Sequence, residues 1–434
     1  MEKVIYKKGS NPLQGNVQIP PSKSAAHRAI LCAALSRGNC LIQNVEISQD
    51  IQVTISAIEA LGAITTYHED SKELSISADS LQADFAAIDC GESGSSLRFL
   101  IPIAAALGIE STFTGKGRLP ERPLETYYNL LPSHGITMKS NGKLPLIISG
   151  QLTAGDFYLP GNISSQFITG LLLALPLLPK DSRILLTSPL ESEGYVNLTI
   201  SIMKDFGVQV NAISNGWQIK GNQKYKAKNY TIEGDWSHVA FFLSLASFNS
   251  KPITISGLRF DSVQGDKACL DLYRKFGLTI EESDHSLVAY NPKAELSFHG
   301  LHSQEIDASQ VPDLVPALAA CAAGCKGITK IYNAERLRIK ECDRLFAMRS
   351  AIQTLGGEAE ETEDGLMIIG KEKLMGGEAR GMNDHRILMA LSAVAAISEN
   401  PVTVTDAWSI RKSYPNFYQD FIQLGGIADV INVG

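Results

Sequence analysis

Six glycines recur at intervals of roughly 70 residues, longer than the usual solenoid repeat, and each closes a helix-like stretch and opens a short apolar strand. They are Gly62, Gly135, Gly207, Gly277, Gly356 and Gly425. Each stands where a left-handed backbone would end a helix, a conformation in which a side chain clashes. Helical spacing precedes them, as in Leu345, Met348, Ile352 and Leu355, or in Ile200, Met203 and Phe206. Strand-like runs lie at 208–213, 278–280, 287–290 and 366–369, and at 146–148. Any α/β protein ends helices with glycine, but near-equal spacing predicts a repeated α/β unit. Six units over 434 residues predict two domains of three units each. Prolines and glycines at Pro20-Pro21 and Glu233-Gly234-Asp235 mark the expected crossovers. One domain would then combine residues 1–20 with 234–434, and the other would be the continuous insert 21–233.

Composition removes several function classes. The net charge is −7, so a nucleic-acid binder relying on overall basicity is not expected. No apolar run reaches the ~20 residues that span a bilayer, and the start lacks a signal peptide's apolar core. Seven scattered cysteines do not form a disulfide framework. A cytoplasmic protein without membrane attachment is the expectation.

Against that acidic background, cations cluster at the ends of predicted elements. Pro21-Ser22-Lys23-Ser24 with Arg28 lies between a strand and a helix starting near Ala25, where unpaired backbone N–H groups attract an anion. A capped surface helix is the plainer reading. Asp89 to Arg98 is a Gly/Ser-rich turn around Gly94 ahead of an apolar helix, either another anion cradle or a flexible loop. Two arginines bracketed by prolines, Arg118 and Arg122, suit bidentate binding of phosphate or carboxylate, or a surface ion pair with Glu121. Ser164-Ser165-Gln166 at a helix start is a neutral phosphate cradle or a simple cap.

Helical geometry over 338–344 would place Lys340 and Arg344 at i and i+4 on a doubly cationic face beside Glu341. A solvated charged face is the ordinary alternative. Asp384-His385-Arg386 heads a nearly all-apolar helix, which places those charges at the mouth of a cleft. No P-loop, dinucleotide fingerprint or zinc spacing is present, and Cys321 and Cys325 read as small apolar helix residues. Together the cations predict a small polyanionic substrate rather than a polymer.

From about Gly15 to Phe417 the ordered set resembles the 5-enolpyruvylshikimate-3-phosphate synthase (3-phosphoshikimate 1-carboxyvinyltransferase) family. The matching residues are Pro21-Ser22-Lys23-Ser24 with Arg28, Arg118 to Pro123, Ser164 to Phe167, Pro312-Asp313, Lys340-Glu341 with Asp343-Arg344, and Asp384-His385-Arg386. The resemblance implies two domains of three βαβαββ-like units with the active site in the cleft between them. It also implies enolpyruvyl transfer from phosphoenolpyruvate to the 5-hydroxyl of shikimate 3-phosphate, through a tetrahedral intermediate, with phosphate released. That is a step of the shikimate pathway towards chorismate and aromatic amino acids. The implied enzyme uses no metal or organic cofactor, acts on small molecules and works as a monomer.

By the same resemblance Lys23, Gly94, Arg122, Gln166 and Lys412 would surround the phosphate of phosphoenolpyruvate, and Arg344 and Arg386 would grip its carboxylate. Ser164, Ser165, Gln166 and Ser192 would hold the shikimate phosphate side, Ser24 and Arg28 the carboxylate, and Tyr195 the ring. Lys23, Asp313 and Lys340 would also touch shikimate 3-phosphate. Asp313 would take the hydroxyl proton and Glu341 would exchange protons with the methylene carbon, assisted by Lys23, His385 and Lys340. The chain departs from other members at Glu92 (often Asn) and at Phe99 (Pro in some). Trp408 stands where some carry a phosphate-binding Lys, a place that Lys412 or Arg411 could fill. The sister transferase acting on UDP-N-acetylglucosamine is the nearest alternative. Ser24 after Lys23, and the absence of Cys from Gly115-Lys116-Gly117-Arg118, speak against it. A non-catalytic binder of phosphorylated acids would not need both Asp313 and Glu341.

Overall fold

Short polar side chains begin most helices that matter here. Ser22, Ser48, Ser93, Ser164, Asp235, Asp343 and Asp384 each accept a hydrogen bond from a backbone N–H in the first turn of the helix that follows. Such a cap satisfies one of the orphan donors and is worth about 1 kcal/mol. A computed structural model describes residues 2–9, 11–78 and 81–432. Contacts divide the chain into two units, Pro21–Glu233 and Met1–Pro20 with Gly234–Gly434.

The unit Pro21–Glu233 contains helices α1 (Lys23–Leu35), α2 (Gln49–Ala60), α3 (Gly94–Leu107), α4 (Glu125–Leu130), α5 (Ser165–Ala174) and α6 (Glu193–Asp205). Its plainest repeat runs strand Asp156–Leu159, α5, strand Ser182–Leu186, α6, then strands Val210–Ile213 and Gly216–Ile219. The first two strands pair in parallel across a helical crossover, and the last strand of the hairpin pairs antiparallel with the second. That is a βαβαββ unit with four strands in the spatial order first, second, fourth, third. The repeat around α3 and α4 has the same order. The repeat around α1 and α2 takes its first strand, Tyr230–Thr231, from the far end of the unit.

The other unit contains α7 (Trp236–Ser247), α8 (Cys269–Phe276), α9 (Val315–Ala322), α10 (Arg344–Thr354), α11 (His385–Ala396) and α12 (Phe417–Gln423). Three sheets accompany them, two in the same order and the third in that order only when the strand from the start of the chain is counted as its fourth. In the last, strand Glu2–Lys7 lies between Val402–Thr405 and Ile427–Asn432, antiparallel to both. Each unit buries its own apolar core. Interior helices such as α7 and α11 are buried on nearly every side and are largely apolar.

The six repeating glycines all have positive φ: 110° at Gly62, 88° at Gly135, 81° at Gly207, 112° at Gly277, 91° at Gly356 and 96° at Gly425. Gly135 ends a 3₁₀ turn, Leu131–His134, rather than an α-helix, because Pro132 has no N–H to extend α4. Among the described residues no helix is long and apolar enough to cross a membrane.

Candidate active site

In the unit Pro21–Glu233 the cations gather at the starts of α1 and α3 and on the segment before α4. Arg28 is buried at 3% exposure. Its Nε donates to Thr199 Oγ1 (2.7 Å), Nη1 to the Ser24 carbonyl (2.7 Å), and Nη2 to the Tyr195 carbonyl (3.2 Å) and Thr169 Oγ1 (3.3 Å). Its guanidinium lies 5.1 Å from the centre of the Phe99 ring. Burial lowers its pKa to about 10, which leaves it charged at neutral pH. A surface helix is therefore excluded here. Lys23 sits at the mouth of α1 and donates to Asp50 Oδ2 at 2.7 Å. Behind it, burial with help from Lys23 and Arg28 pushes His27 well below the ordinary imidazole pKa.

Gln166 bridges two helices: its Oε1 accepts from Arg98 Nη1 at 2.7 Å and its Nε2 donates to Ser95 Oγ at 3.0 Å. Gly170 permits this approach, because a Cβ there would collide with the Arg98 carbonyl and the Tyr127 hydroxyl. Ser164, not Ser165, caps α5, accepting from the Gln166 N–H at 3.3 Å. Ser192 begins α6 with a left-handed backbone (φ 55°) and no capping bond from its side chain. Arg122 is buried over Gly94, where a Cβ would come 2.5 Å from its Nη1. Glu121 faces Lys143 at 3.8 Å, so the surface pair expected with an arginine is not what this segment builds.

The other unit assembles a denser array. Arg344, 1% exposed, donates through Nε to Asp384 Oδ2 (2.8 Å), through Nη1 to Asp313 Oδ1 (3.0 Å) and through Nη2 to Glu341 Oε2 (2.7 Å). Burial alone would lower its pKa, but Asp384, Glu341 and Asp313 together raise it well above the ordinary arginine value. Arg386 donates to the carbonyl of Asp313 (3.1 Å) and to its Oδ2 (3.0 Å). Lys340 Nζ lies 3.6 Å from Asp313 Oδ1, and burial lowers its pKa to about 8 despite that carboxylate. His385 is buried beside Asp384, with Nδ1 3.9 Å from Oδ1. Lys412 is buried, donating to the Asn383 carbonyl at 2.6 Å and standing 5.2 Å over the Trp408 ring, whereas Arg411 pairs with Glu2 at 3.2 Å.

One expectation is overturned. Lys340 and Arg344 do not share a helix face: a 3₁₀ turn ends at Ile339, Lys340 is extended (φ −82°, ψ −158°), and α10 begins only at Arg344. The reason is Asp343, whose carboxylate accepts from the Phe346 N–H and so starts a new helix after a break. Lys340 and Arg344 still converge, through Asp313 rather than through helical spacing. Asp50, Thr169, Thr199 and Asp384 complete these clusters without having been singled out as partners. Only Asp384 had a local signal, as the polar residue immediately before an apolar helix.

The fold, three α/β repeats in each of two units with charged clusters at helix starts, is shared with solved enolpyruvyl transferases. Over the whole of both chains the structure matches an EPSP synthase from Acinetobacter baumannii (TM-score 0.83, 24% identity) and the enolpyruvyl transferase NikO from Streptomyces tendae (TM-score 0.80, 17% identity). Residues 7–421 match the profile of EPSP synthase (3-phosphoshikimate 1-carboxyvinyltransferase), and the chain belongs to that family. It is 45% identical to the 3-phosphoshikimate 1-carboxyvinyltransferase of Clostridium novyi, covering 97% of this chain and 98% of that one. The enzyme of the same name from Clostridium kluyveri is 47% identical over 97% of each chain.

Proposed function

We propose that this chain transfers the enolpyruvyl group of phosphoenolpyruvate to the 5-hydroxyl of shikimate 3-phosphate, releasing phosphate by addition and elimination. The observation that carries the reading is Arg344, whose one guanidinium contacts both Asp313 and Glu341. Two carboxylates on a common cation suit a reaction that removes one proton and delivers another. Asp313 takes the hydroxyl proton and Glu341 serves the methylene carbon. Lys340 stands by Asp313 with a lowered pKa that suits proton exchange. His385 and Lys23 assist.

Arg344 and Arg386, already meeting a carboxylate in Asp313, have the geometry to take that of phosphoenolpyruvate. Lys23, Arg122 over Gly94, and Gln166 take its phosphate. Lys412 joins them, favoured over Arg411 by its burial beside the 383–386 segment. Arg28, whose hydrogen bonds end on neutral oxygens, receives the shikimate carboxylate with Ser24. Ser164, Ser165 and Ser192 take the shikimate phosphate, and Tyr195 packs on the ring. The reading needs both residue sets, which one chain supplies, so we propose a monomer. Seven buried free thiols fit the reducing cytoplasm.

The test is phosphate release on mixing phosphoenolpyruvate with shikimate 3-phosphate, with UDP-N-acetylglucosamine as competing acceptor. Release should require shikimate 3-phosphate. Release with the nucleotide sugar alone would transfer the chain to the sister reaction.

A further inference from the structure

Ser237, in the first turn of α7, touches no proposed substrate group, yet it is 2% exposed and bonded to one that does. Its Oγ donates to Asp235 Oδ1 at 2.6 Å and accepts from Arg386 Nη2 at 3.1 Å. A hydroxyl has a single proton, and here the Asp235 carboxylate takes it. Towards Arg386 the oxygen therefore presents only lone pairs, polarised by the charge behind them. The same Arg386 Nη2 donates to Asp313 Oδ2 at 3.0 Å, so Ser237 and Asp313 share the two protons of one nitrogen.

Asp235 is itself anchored. Its Oδ1 also accepts from the Ser237 N–H at 2.9 Å, and its own N–H donates to the Pro20 carbonyl at 3.0 Å. On either side Gln264 ties the main chain, donating to the Gly234 carbonyl (2.9 Å) and accepting from the Trp236 N–H (3.2 Å).

We infer that Ser237 is a positioning residue for Arg386, orienting the guanidinium that grips the substrate carboxylate through a relay that begins at Asp235. The inference rests on the reading of Arg386 given under the proposed function. Asp313 cannot perform this task alone, because it must exchange its arginine contacts for a substrate proton. Ser237 is a side-chain partner of Arg386 that takes no part in the chemistry.

The test is steady-state kinetics of Ser237→Ala, Asp235→Asn and Arg386→Gln, and of Ser237→Ala combined with Arg386→Gln. Losing one hydrogen bond to a charged group should raise KM for phosphoenolpyruvate about tenfold in Ser237→Ala. KM for shikimate 3-phosphate should stay unchanged and kcat should stay within about threefold of the wild type. Asp235→Asn keeps the helix cap but loses the charge, so it should shift the same KM in the same direction by less. In the Arg386→Gln background Ser237→Ala should add little, because the two residues act as one unit. Additive effects, or equal changes in both KM values with a lowered melting temperature, would overturn the inference. If Ser237→Ala does not fold, Asp235→Asn decides by the same criterion. An Arg386→Gln enzyme with normal KM for phosphoenolpyruvate would instead remove the assignment of Arg386, and the inference with it.

Discussion

Two buried arginines, one in each unit, show two ways of keeping a guanidinium out of water. Arg28 is surrounded by hydroxyls, carbonyls and an aromatic face, and burial lowers its pKa to about 10. Arg344 is surrounded by Asp313, Glu341 and Asp384, which overcome the effect of burial and raise its pKa well above normal. Neutral partners orient a cation without discharging it, so its attraction for an anion is kept. Carboxylate partners keep it protonated while offsetting its charge, and the same contacts set acids and bases in fixed places. On the proposed reading, the first arrangement only binds, whereas the second binds and also holds the groups that carry out chemistry.

The largest expected effect tests the chemical side. Asp313→Asn keeps the shape but removes the base, and phosphate release should fall by ~10²–10⁴-fold, as for a lost general base. Turnover within a few-fold of the wild type would end the distinction between the two clusters. Next comes the binding side. Arg28→Gln should weaken shikimate 3-phosphate in calorimetry by about 10–150-fold, the equivalent of one charge-assisted contact. Its affinity for phosphoenolpyruvate should hardly change, and equal losses for both ligands would show that Arg28 acts through folding.

A third measurement concerns Lys340, whose pKa burial lowers to about 8. Below that pH it is a cation beside Asp313, and above it is neutral, so kcat/KM should fall on the alkaline side with a midpoint near 8. Lys340→Arg cannot lose its charge in this range, and the pH profile should lose that limb whatever its absolute rate. A limb that persists in Lys340→Arg belongs to another group. The smallest effect is at Gly94. An added Cβ would meet the guanidinium end of the Arg122 side chain, not backbone, so Gly94→Ala should fold normally. KM for phosphoenolpyruvate should rise only a few-fold as Arg122 shifts, with no change for shikimate 3-phosphate, about 1 kcal/mol or less.

The α/β repeats were legible because a helix must end somewhere and only glycine ends it cheaply with positive φ. The candidate positions stood out because cations at helix starts run against the preference of the helix dipole for negative charge there. What escaped was partnership at long range. Arg28 meets Thr199 and Thr169, which lie on other helices and carry no local signal. The break between Lys340 and Arg344 was missed for a different reason. Spacing assumes an uninterrupted helix, whereas Asp343 competes for the backbone and restarts it. Ser237 is equally silent in sequence: a serine in an apolar helix looks like filler until its neighbours are known.

Strand Glu2–Lys7 lies in the middle of a sheet whose other members come from the last part of the chain. A ribosome adding 5–20 residues per second would need roughly 20–85 s between making that strand and making its final neighbour, Ile427–Asn432. For most of that interval neither neighbour of the strand has been made, while residues 21–233 emerge in uninterrupted order. The inserted unit can therefore mature during translation, whereas the enclosing one must wait for its own end. Its assembly is set by the clock of synthesis, and strand Glu2–Lys7 is among the last to find its place.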